Sequence, residues 1–245
     1  MPETAVLLLS DLHLPREPSP LRESFLRFLA GPARAAQAVY VLGDLFDVWI
    51  GDDAGLQDHA PEIAALRALS DSGVELYFMH GNRDFLIGAG FAAATGARLL
   101  DDPQRATLDG VPTLLSHGDR FCTQDRGYQR WRRFSRHPAP RALYAAFPLP
   151  LRRAIASYAR ARSGRDQAGK PEAITDVSEA AIRAAFEGAR VTRIIHGHTH
   201  RPAEHVYQDG GQRRERIVLA DWRPDRQEYL RCAGGELRRI ELTRS

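Results

Sequence analysis

Short apolar runs recur along this chain of 245 residues, and polar residues follow each of them. Between the first two runs, Leu21, Phe25 and Phe28 fall at helical spacing behind Ser19, a residue type that often caps a helix. The runs have the length and composition of buried strands, and they cover residues 5–9, 39–42, 74–79, 113–115, 193–195 and 217–219. This alternation predicts an α/β fold in which helices pack on the faces of a sheet.

The alternation stops between about residues 121 and 171, where arginine, proline and aromatic residues accumulate. In this segment Leu151, Ile155 and Tyr158 fall on one side of a predicted helix. We predict a helical insertion within a single domain that spans residues 1–245. The apolar side of that helix either packs on the core, or forms a lid over an amphiphilic substrate or a contact with a membrane surface.

Composition excludes several classes of protein. A content of 43% hydrophobic and 27% charged residues is typical of a folded chain. Cys122 and Cys232 are far apart, which argues against a disulfide framework or a zinc finger and favours reduced cytosolic thiols. The longest uncharged stretch, residues 85–97, is too short to span a membrane, and the N-terminus lacks the features of a secretion signal. The net charge of +3 suits an anionic substrate or an anionic membrane surface without requiring either.

Metal-binding residue types follow five of the predicted strands. Asp11 and His13 are two residues apart behind the first strand, so both side chains can point the same way and bind one ion. The carboxyl ends of strands in an α/β sheet share one edge, so the five loops should converge in space. The loops are Ser10-Asp11-Leu12-His13, Gly43-Asp44-Leu45-Phe46-Asp47, Gly81-Asn82-Arg83-Asp84, Ser116-His117-Gly118-Asp119 and His196-Gly197-His198-Thr199-His200.

This collection of ligands predicts a two-metal hydrolase. Carboxylate, imidazole and amide groups without thiolate suit manganese, iron, zinc or magnesium. Asp44 is the natural residue to bridge two ions. Two ions about 3.5–4 Å apart can activate a water molecule and neutralise charge on a phosphoryl group. A single histidine after a strand is usually structural, but five such loops together favour cleavage of a phosphate ester or phosphoanhydride.

The five motifs resemble those of the calcineurin-like metallophosphoesterase superfamily and occur in the same order. The resemblance implies a β-sandwich flanked by helices, with two divalent ions. Where many members have a histidine after the Gly-Asn pair, this chain has Arg83, which can grip phosphate oxygens but cannot deliver a proton at neutral pH. The implied ligands are Asp11, His13, Asp44 and His198 for one ion, and Asp44, Asn82, His117 and His196 for the other.

A narrower resemblance, carried by Gly-Asn-Arg-Asp-Phe, the segment at residues 46–52 and His-Gly-His-Thr-His-Arg-Pro, is to the UDP-2,3-diacylglucosamine diphosphatase family of lipid A biosynthesis. It implies catalytic roles for Arg83 and Asp44. All but one of the 34 basic residues are arginine, and the exception, Lys170, falls where that family binds substrate. The implied substrate-binding residues are Asn82, Arg83, Asp125, Ser163, Gln167, Lys170 and His196, with Gln167 replacing a shorter residue.

The resemblance implies a reaction and a location. A hydroxide bound to two ions, manganese being the first expectation, would attack the α-phosphorus of UDP-2,3-diacylglucosamine and release UMP and 2,3-diacylglucosamine 1-phosphate. Apolar residues of the insertion, among them Trp131 and Phe134, would hold the acyl chains. The enzyme would lie at the cytoplasmic face of the inner membrane as a peripheral protein, without a nucleic-acid partner.

Two other interpretations are open on the sequence alone. A nucleotide phosphodiesterase or a protein phosphatase of the same superfamily would share the motifs, although the apolar insertion argues against both. A scaffold without catalytic activity would keep the fold, but it would be expected to have lost ligands that this chain retains. A DNA nuclease is disfavoured because no long basic groove pattern accompanies the motifs.

Overall fold

Two mixed β-sheets pack face to face in the computed structural model, which describes residues 5–168, 172–209 and 211–242, without the side chains of residues 163–168, 172–173 and 209. The first sheet has the order β11-β10-β1-β2-β3-β4. Its strands are β1 (Val6–Leu9), β2 (Ala38–Val41), β3 (Glu75–Met79), β4 (Arg98–Leu100), β10 (Glu228–Ala233) and β11 (Glu236–Glu241).

The second sheet has the order β5-β6-β7-β9-β8. Its strands are β5 (Gln104–Leu108), β6 (Val111–Ser116), β7 (Arg193–His196), β8 (Ala203–Asp209) and β9 (Gln212–Val218). In each sheet the central strands are parallel: β1, β2 and β3 in the first, and β6, β7 and β9 in the second. The loops at the carboxyl ends of five of these strands, all except β9, carry the metal-binding motifs.

Helices cover the outer faces of the sandwich. The helices α1 (Pro20–Ala30), α2 (Asp52–Asp58), α3 (Ala60–Asp71) and α4 (Ala89–Thr95) lie on the side of the first sheet, and α9 (Glu179–Ala189) lies on the second. Ser19 caps α1, since its side chain accepts a hydrogen bond from the Arg22 amide. Between the sheets, leucine, isoleucine and methionine side chains such as Leu8, Met79 and Ile195 form a separate buried cluster.

The predicted insertion is helical. It contains α5 (Arg126–Ser135), α6 (Pro138–Ala145), α7 (Leu149–Ala168) and α8 (Glu172–Thr175). Arginines attach α7 to the sandwich: buried Arg152 donates to the Ile50 carbonyl, 2.9 Å away, and pairs with Asp53. Leu151 on the same helix is 45% exposed, so its apolar side does not pack on the core. The structure therefore argues against packing of this apolar side on the core and favours the alternative of a lid or a membrane contact.

The sequence patterns located six strands, β1, β2, β3, β6, β7 and β9, and missed the other five. Of the missed strands, β4 is a three-residue edge strand that is parallel to β3. The strands β5, β8, β10 and β11 pair antiparallel, carry charged residues among their apolar ones, and lie at or near a sheet edge. The prediction that one sheet edge gathers the motifs was also wrong. The loops come from two sheets that face each other, because the parallel strands of both sheets end at the same end of the sandwich.

Candidate metal centre

The loop after β1 brings two of the predicted ligands together. Asp11 and His13 have left-handed backbones, with φ of 56° and 48°, a conformation that non-glycine residues rarely adopt. Strain of this kind concentrates at functional sites. Asp11 Oδ2 accepts a hydrogen bond from the His198 amide, 2.8 Å away, whereas buried Asp11 Oδ1 has no hydrogen-bond partner among the described residues. An unsatisfied buried carboxylate oxygen is suited to coordinate a cation.

Asp44 occupies the middle of the centre. Its Oδ1 accepts from the Arg83 amide at 2.8 Å, and its Oδ2 lies 3.9 Å from both His13 Nδ1 and His117 Nε2. One carboxylate oxygen therefore faces a histidine on each side. The close approach of the next loop demands a glycine at position 81, because a Cβ there would lie 2.0 Å from Asp44 Oδ1. This geometry suits a carboxylate that bridges two ions.

His117 and Asn82 form the side of the centre beyond Asp44. His117 Nδ1 lies 2.9 Å from the Leu42 carbonyl, to which it donates, and this contact fixes the ring. Its Nε2 is then free to face the centre, where Asn82 Oδ1 lies 3.1 Å away. Buried Asp84 holds the two surrounding loops by accepting from the amides of Leu45 and Gly81, both at 2.8 Å.

His200 also reaches the centre, although it is not among the ligands that the motifs implied. Its Nε2 lies 3.2 Å from His13 Nε2 and 3.4 Å from Asp11 Oδ1, and its Nδ1 lies 3.7 Å from Asp221 Oδ2. Asp11, His13 and His200 thus form one potential ion-binding group, and Asp11, Asp44 and His117 form another. The sequence held a signal for His200, the third histidine of its motif, but no signal for its orientation.

His196 lies apart from these groups. Its Nδ1 is 2.9 Å from the Gly197 carbonyl and its Nε2 is 3.2 Å from Arg216 Nη1, in a buried environment. Both ring nitrogens are occupied, and neither faces Asp44 within the described contacts. His198 lies closer, since its ring centroid is 5.0 Å from that of His117 and its ring stacks on Tyr128 at 6.0 Å.

Burial and charge set the protonation of the cluster. Burial lowers the pKa of His13 to about 4 and that of His198 to about 3, which favours the neutral imidazoles that bind metals. Burial acts in the same direction on His117, but the carboxylates of Asp44 and Asp11 outweigh it and raise the pKa of His117 to about 9. Burial also raises the pKa of Asp44 to about 7, because it disfavours the charged carboxylate, and the charge of His117 opposes this rise only in part.

The structure describes only some of the residues that the family resemblance implied for substrate binding. The Arg83 guanidinium has no hydrogen-bond or ion-pair partner among the described residues, and the residue is half-buried beside the centre. Asp125 caps α5, since its Oδ1 accepts from the Tyr128 amide at 3.1 Å. Lys170 lies outside the described residues, and so do the side chains of Ser163 and Gln167.

The residues present fit divalent ions. The donor set is carboxylate, imidazole and amide oxygen, which suits hard and borderline cations, and Asp11, whose Oδ1 has no hydrogen-bond partner among the described residues, belongs to both potential ion-binding groups. A fold of two facing sheets with such a centre defines a class of metal-dependent phosphoesterases. The model of the calcineurin-like phosphoesterases matches residues 4–202, so the chain belongs to that family.

Two relatives with assigned names indicate which members of this family the chain is similar to. A protein of Pseudomonas syringae pv. tomato is 46% identical over 225 residues, which cover 92% of this chain and 90% of the relative. A protein of Chromohalobacter salexigens is 48% identical over 220 residues, which cover 90% of this chain and 89% of the relative. Both are named UDP-2,3-diacylglucosamine hydrolase. These matches confirm the two family resemblances that the motifs indicated.

Proposed function

We propose that this chain hydrolyses the pyrophosphate bond of UDP-2,3-diacylglucosamine, a reaction of lipid A biosynthesis, and releases UMP and 2,3-diacylglucosamine 1-phosphate. The observation that carries the proposal is the gathering of Asp11, Asp44 and His117 from three separate loops around an unsatisfied carboxylate oxygen. The names of relatives that share nearly half of the sequence supply the substrate. A simpler phosphodiesterase would have no use for the exposed apolar surface of the insertion.

The structure supports a revised set of ligands. Asp11, His13, Asp44 and His200 would hold one ion, and Asp44, Asn82, His117 and His198 would hold the other. His196 is replaced because both of its ring nitrogens have other partners. Two bound divalent ions, with manganese as the first choice, supply a nucleophile at neutral pH and a counter-charge for the phosphoryl group.

Residues of the chain position the substrate around that centre. The free Arg83 guanidinium can grip a non-bridging phosphate oxygen and stabilise the negative charge that develops on the leaving group. Its backbone is held by two contacts, in which the Arg83 amide donates to Asp44 and the Arg83 carbonyl accepts from the Trp49 amide at 3.2 Å. An arginine at this position aligns phosphate but does not protonate the leaving oxygen.

The insertion is the region that would accept the acyl chains. Most of the large hydrophobic side chains that remain exposed in the described residues belong to it, namely Trp131, Phe134, Leu143, Leu151, Ile155 and Tyr158. Each methylene buried there contributes about 0.8 kcal/mol, so two long chains would give strong binding. Lys170, Ser163, Gln167 and Asp125 remain our candidates for polar contacts with the substrate.

The location follows from the substrate. No helix within the described residues is long and apolar enough to cross a bilayer. We place the enzyme at the cytoplasmic face of the inner membrane as a peripheral protein, because a substrate with two acyl chains resides there. We also propose one metallophosphoesterase domain, interrupted at about residues 121–171 by the helical insertion.

Product analysis tests the proposal. Purified protein is incubated with UDP-2,3-diacylglucosamine and Mn²⁺, and the nucleotide product is separated by chromatography. UMP is expected, and hydrolysis in ¹⁸O-water should place the label in UMP because water attacks the α-phosphorus. Release of UDP would place the attack elsewhere, and turnover of a simple UDP-sugar at an equal rate would contradict the lipid substrate.

A further inference from the structure

The outer face of α5 carries an arginine groove. Arg126, Arg130 and Arg133 are exposed and line a groove of about 600 Å³ together with Thr123 and Gln129. Positions separated by four and three residues lie on one side of a helix, so the three guanidinium groups form a single stripe. We call this surface the arginine groove.

These three arginines differ from Arg132 on the same helix and from Arg136 just beyond it. Arg132 donates to Asp119 at 2.8 Å and to Asp102 at 2.9 Å, and Arg136, just beyond the helix, donates to Asp119 at 3.0 Å. Those side chains face inward and attach α5 to the sandwich. No residue of the arginine groove has a hydrogen-bond or ion-pair partner from its guanidinium in the part of the chain that the structure describes.

Exposed aromatic rings flank the stripe. Trp131 is 54% exposed and Phe134 is 58% exposed, with ring centroids 5.8 Å apart. On a helical projection both lie between the arginine stripe and the inward face that holds Tyr128 and Arg132. A helix that presents unpaired arginines beside Trp and Phe has the two features that hold a helix in the interface of a bilayer.

We propose that the arginine groove, with Trp131 and Phe134, is the surface by which this protein docks on anionic phospholipids. The occupant is the headgroup region of a bilayer, since its phosphates complement three unpaired guanidinium groups and its acyl boundary accepts the adjacent rings. The inference extends the peripheral location proposed above by naming the surface and the lipid chemistry. It does not depend on which bond the enzyme cleaves.

Vesicle binding tests the inference without any hydrolysis. The wild-type chain and an Arg126→Gln/Arg130→Gln/Arg133→Gln variant are sedimented with two kinds of vesicle. One kind is phosphatidylcholine alone, and the other is phosphatidylcholine with about 30% phosphatidylglycerol, which makes it anionic. Glutamine keeps helix propensity and removes charge. Each removed arginine should weaken binding to the anionic vesicles about fivefold, while binding to phosphatidylcholine stays unchanged. Trp131→Ala should weaken binding to both kinds of vesicle.

A matched control removes the same charge elsewhere. Arg34→Gln/Arg105→Gln/Arg190→Gln changes three exposed arginines of the sandwich and should leave vesicle binding within about twofold of wild type. Equal losses in the two triple variants would show that net charge alone governs binding and would overturn the proposal. A change of sedimentation coefficient in the groove variant without vesicles would assign this face to a second copy of the chain instead. Because no product is measured, failure here leaves the proposed hydrolysis untouched.

Discussion

A histidine can bind an ion only through a ring nitrogen that has no other partner. In His200 one nitrogen lies near Asp221 and the other faces Asp11 and His13, whereas both nitrogens of His196 are occupied by Gly197 and Arg216. We expect His200→Ala to lower the bound manganese by about one ion per chain, with loss of activity. Elemental analysis after gel filtration measures this content directly.

The matched variant is His196→Gln, which keeps a buried polar side chain. It should retain both ions and lose stability instead, by about 1–3 kcal/mol, because the buried guanidinium of Arg216 loses its acceptor. Denaturant unfolding gives the stability change. A His196→Gln protein that lost an ion, beside a His200→Ala protein that kept two, would restore the ligand set implied by the sequence.

Asp44 lies between the two halves of the metal centre. Its Oδ2 is equidistant from His13 and His117, so one substitution touches both halves of the centre. Asp44→Asn should reduce bound metal to one ion or none and reduce kcat by at least about a thousandfold, because nucleophile and counter-charge are both lost. Retention of two tightly bound ions would remove the bridging role.

The spacing of residues indicates Asp11, His13, Asp44 and His117 as candidate ligands, which the structure brings together, but it does not choose among three histidines. His196, His198 and His200 alternate in sequence, so an extended chain would place all three on one side. The strand β7 ends at His196, and His198 and His200 have φ of 70° and 56°, which breaks the alternation. That turn depends on the packing of the facing sheet, which no local pattern in the sequence expresses.

At the scale of elements, the insertion is attached to the metal centre through Asp119. This carboxylate is fully buried, accepts from Tyr128 Oη at 2.5 Å and from Arg132 and Arg136, and lies two residues after His117. Asp119→Asn would leave two guanidinium groups short of a counter-charge. We expect a loss of about 3 kcal/mol in the free energy of unfolding, and faster proteolysis within the insertion.

The control for this prediction is an exposed ion pair of the sandwich. Asp71→Asn breaks the pair with Arg67, in which both side chains are more than half exposed, and should cost less than about 1 kcal/mol. Cleavage sites are identified by mass spectrometry of the native protein under limiting protease. If Asp119→Asn were as stable and as resistant as Asp71→Asn, α5 would be held by apolar packing and not by Asp119.

Helix α7 of the insertion shows why a helical pattern can predict a helix but not which of its sides is buried. An amphipathic pattern normally means that the apolar side is buried. Among the side chains of α7 that the structure describes, Arg152 is the buried one, its partners Ile50 and Asp53 lie about one hundred residues earlier, and Leu151 is exposed. A pairing over that sequence separation leaves no periodic trace, so the sequence pattern cannot show that an arginine attaches the helix to the sandwich.

At the scale of the whole molecule, the metal centre joins two sheets that otherwise meet through an apolar layer. Asp11, Asp44 and Asn82 follow strands of the first sheet, and His117 and His200 follow strands of the second. An ion bound between them links the two halves of the sandwich. Stability should therefore depend on metal more strongly than it would for a site within one loop.

Metal removal tests this linkage. Ions that bind the native state alone stabilise it by about 2.7 kcal/mol per site when the free ion is at one hundred times Kd. For a chain of this length, two occupied sites correspond to a rise in Tm of roughly 10–20 °C over protein treated with a chelator, measured by calorimetry. Amide exchange should slow together in the loops after β1, β2, β6 and β7 when Mn²⁺ is added. The Asp44→Asn variant, which lacks the shared ligand, should lose most of the rise in Tm, and exchange that slowed in the loops of only one sheet would show that the ions do not join the two.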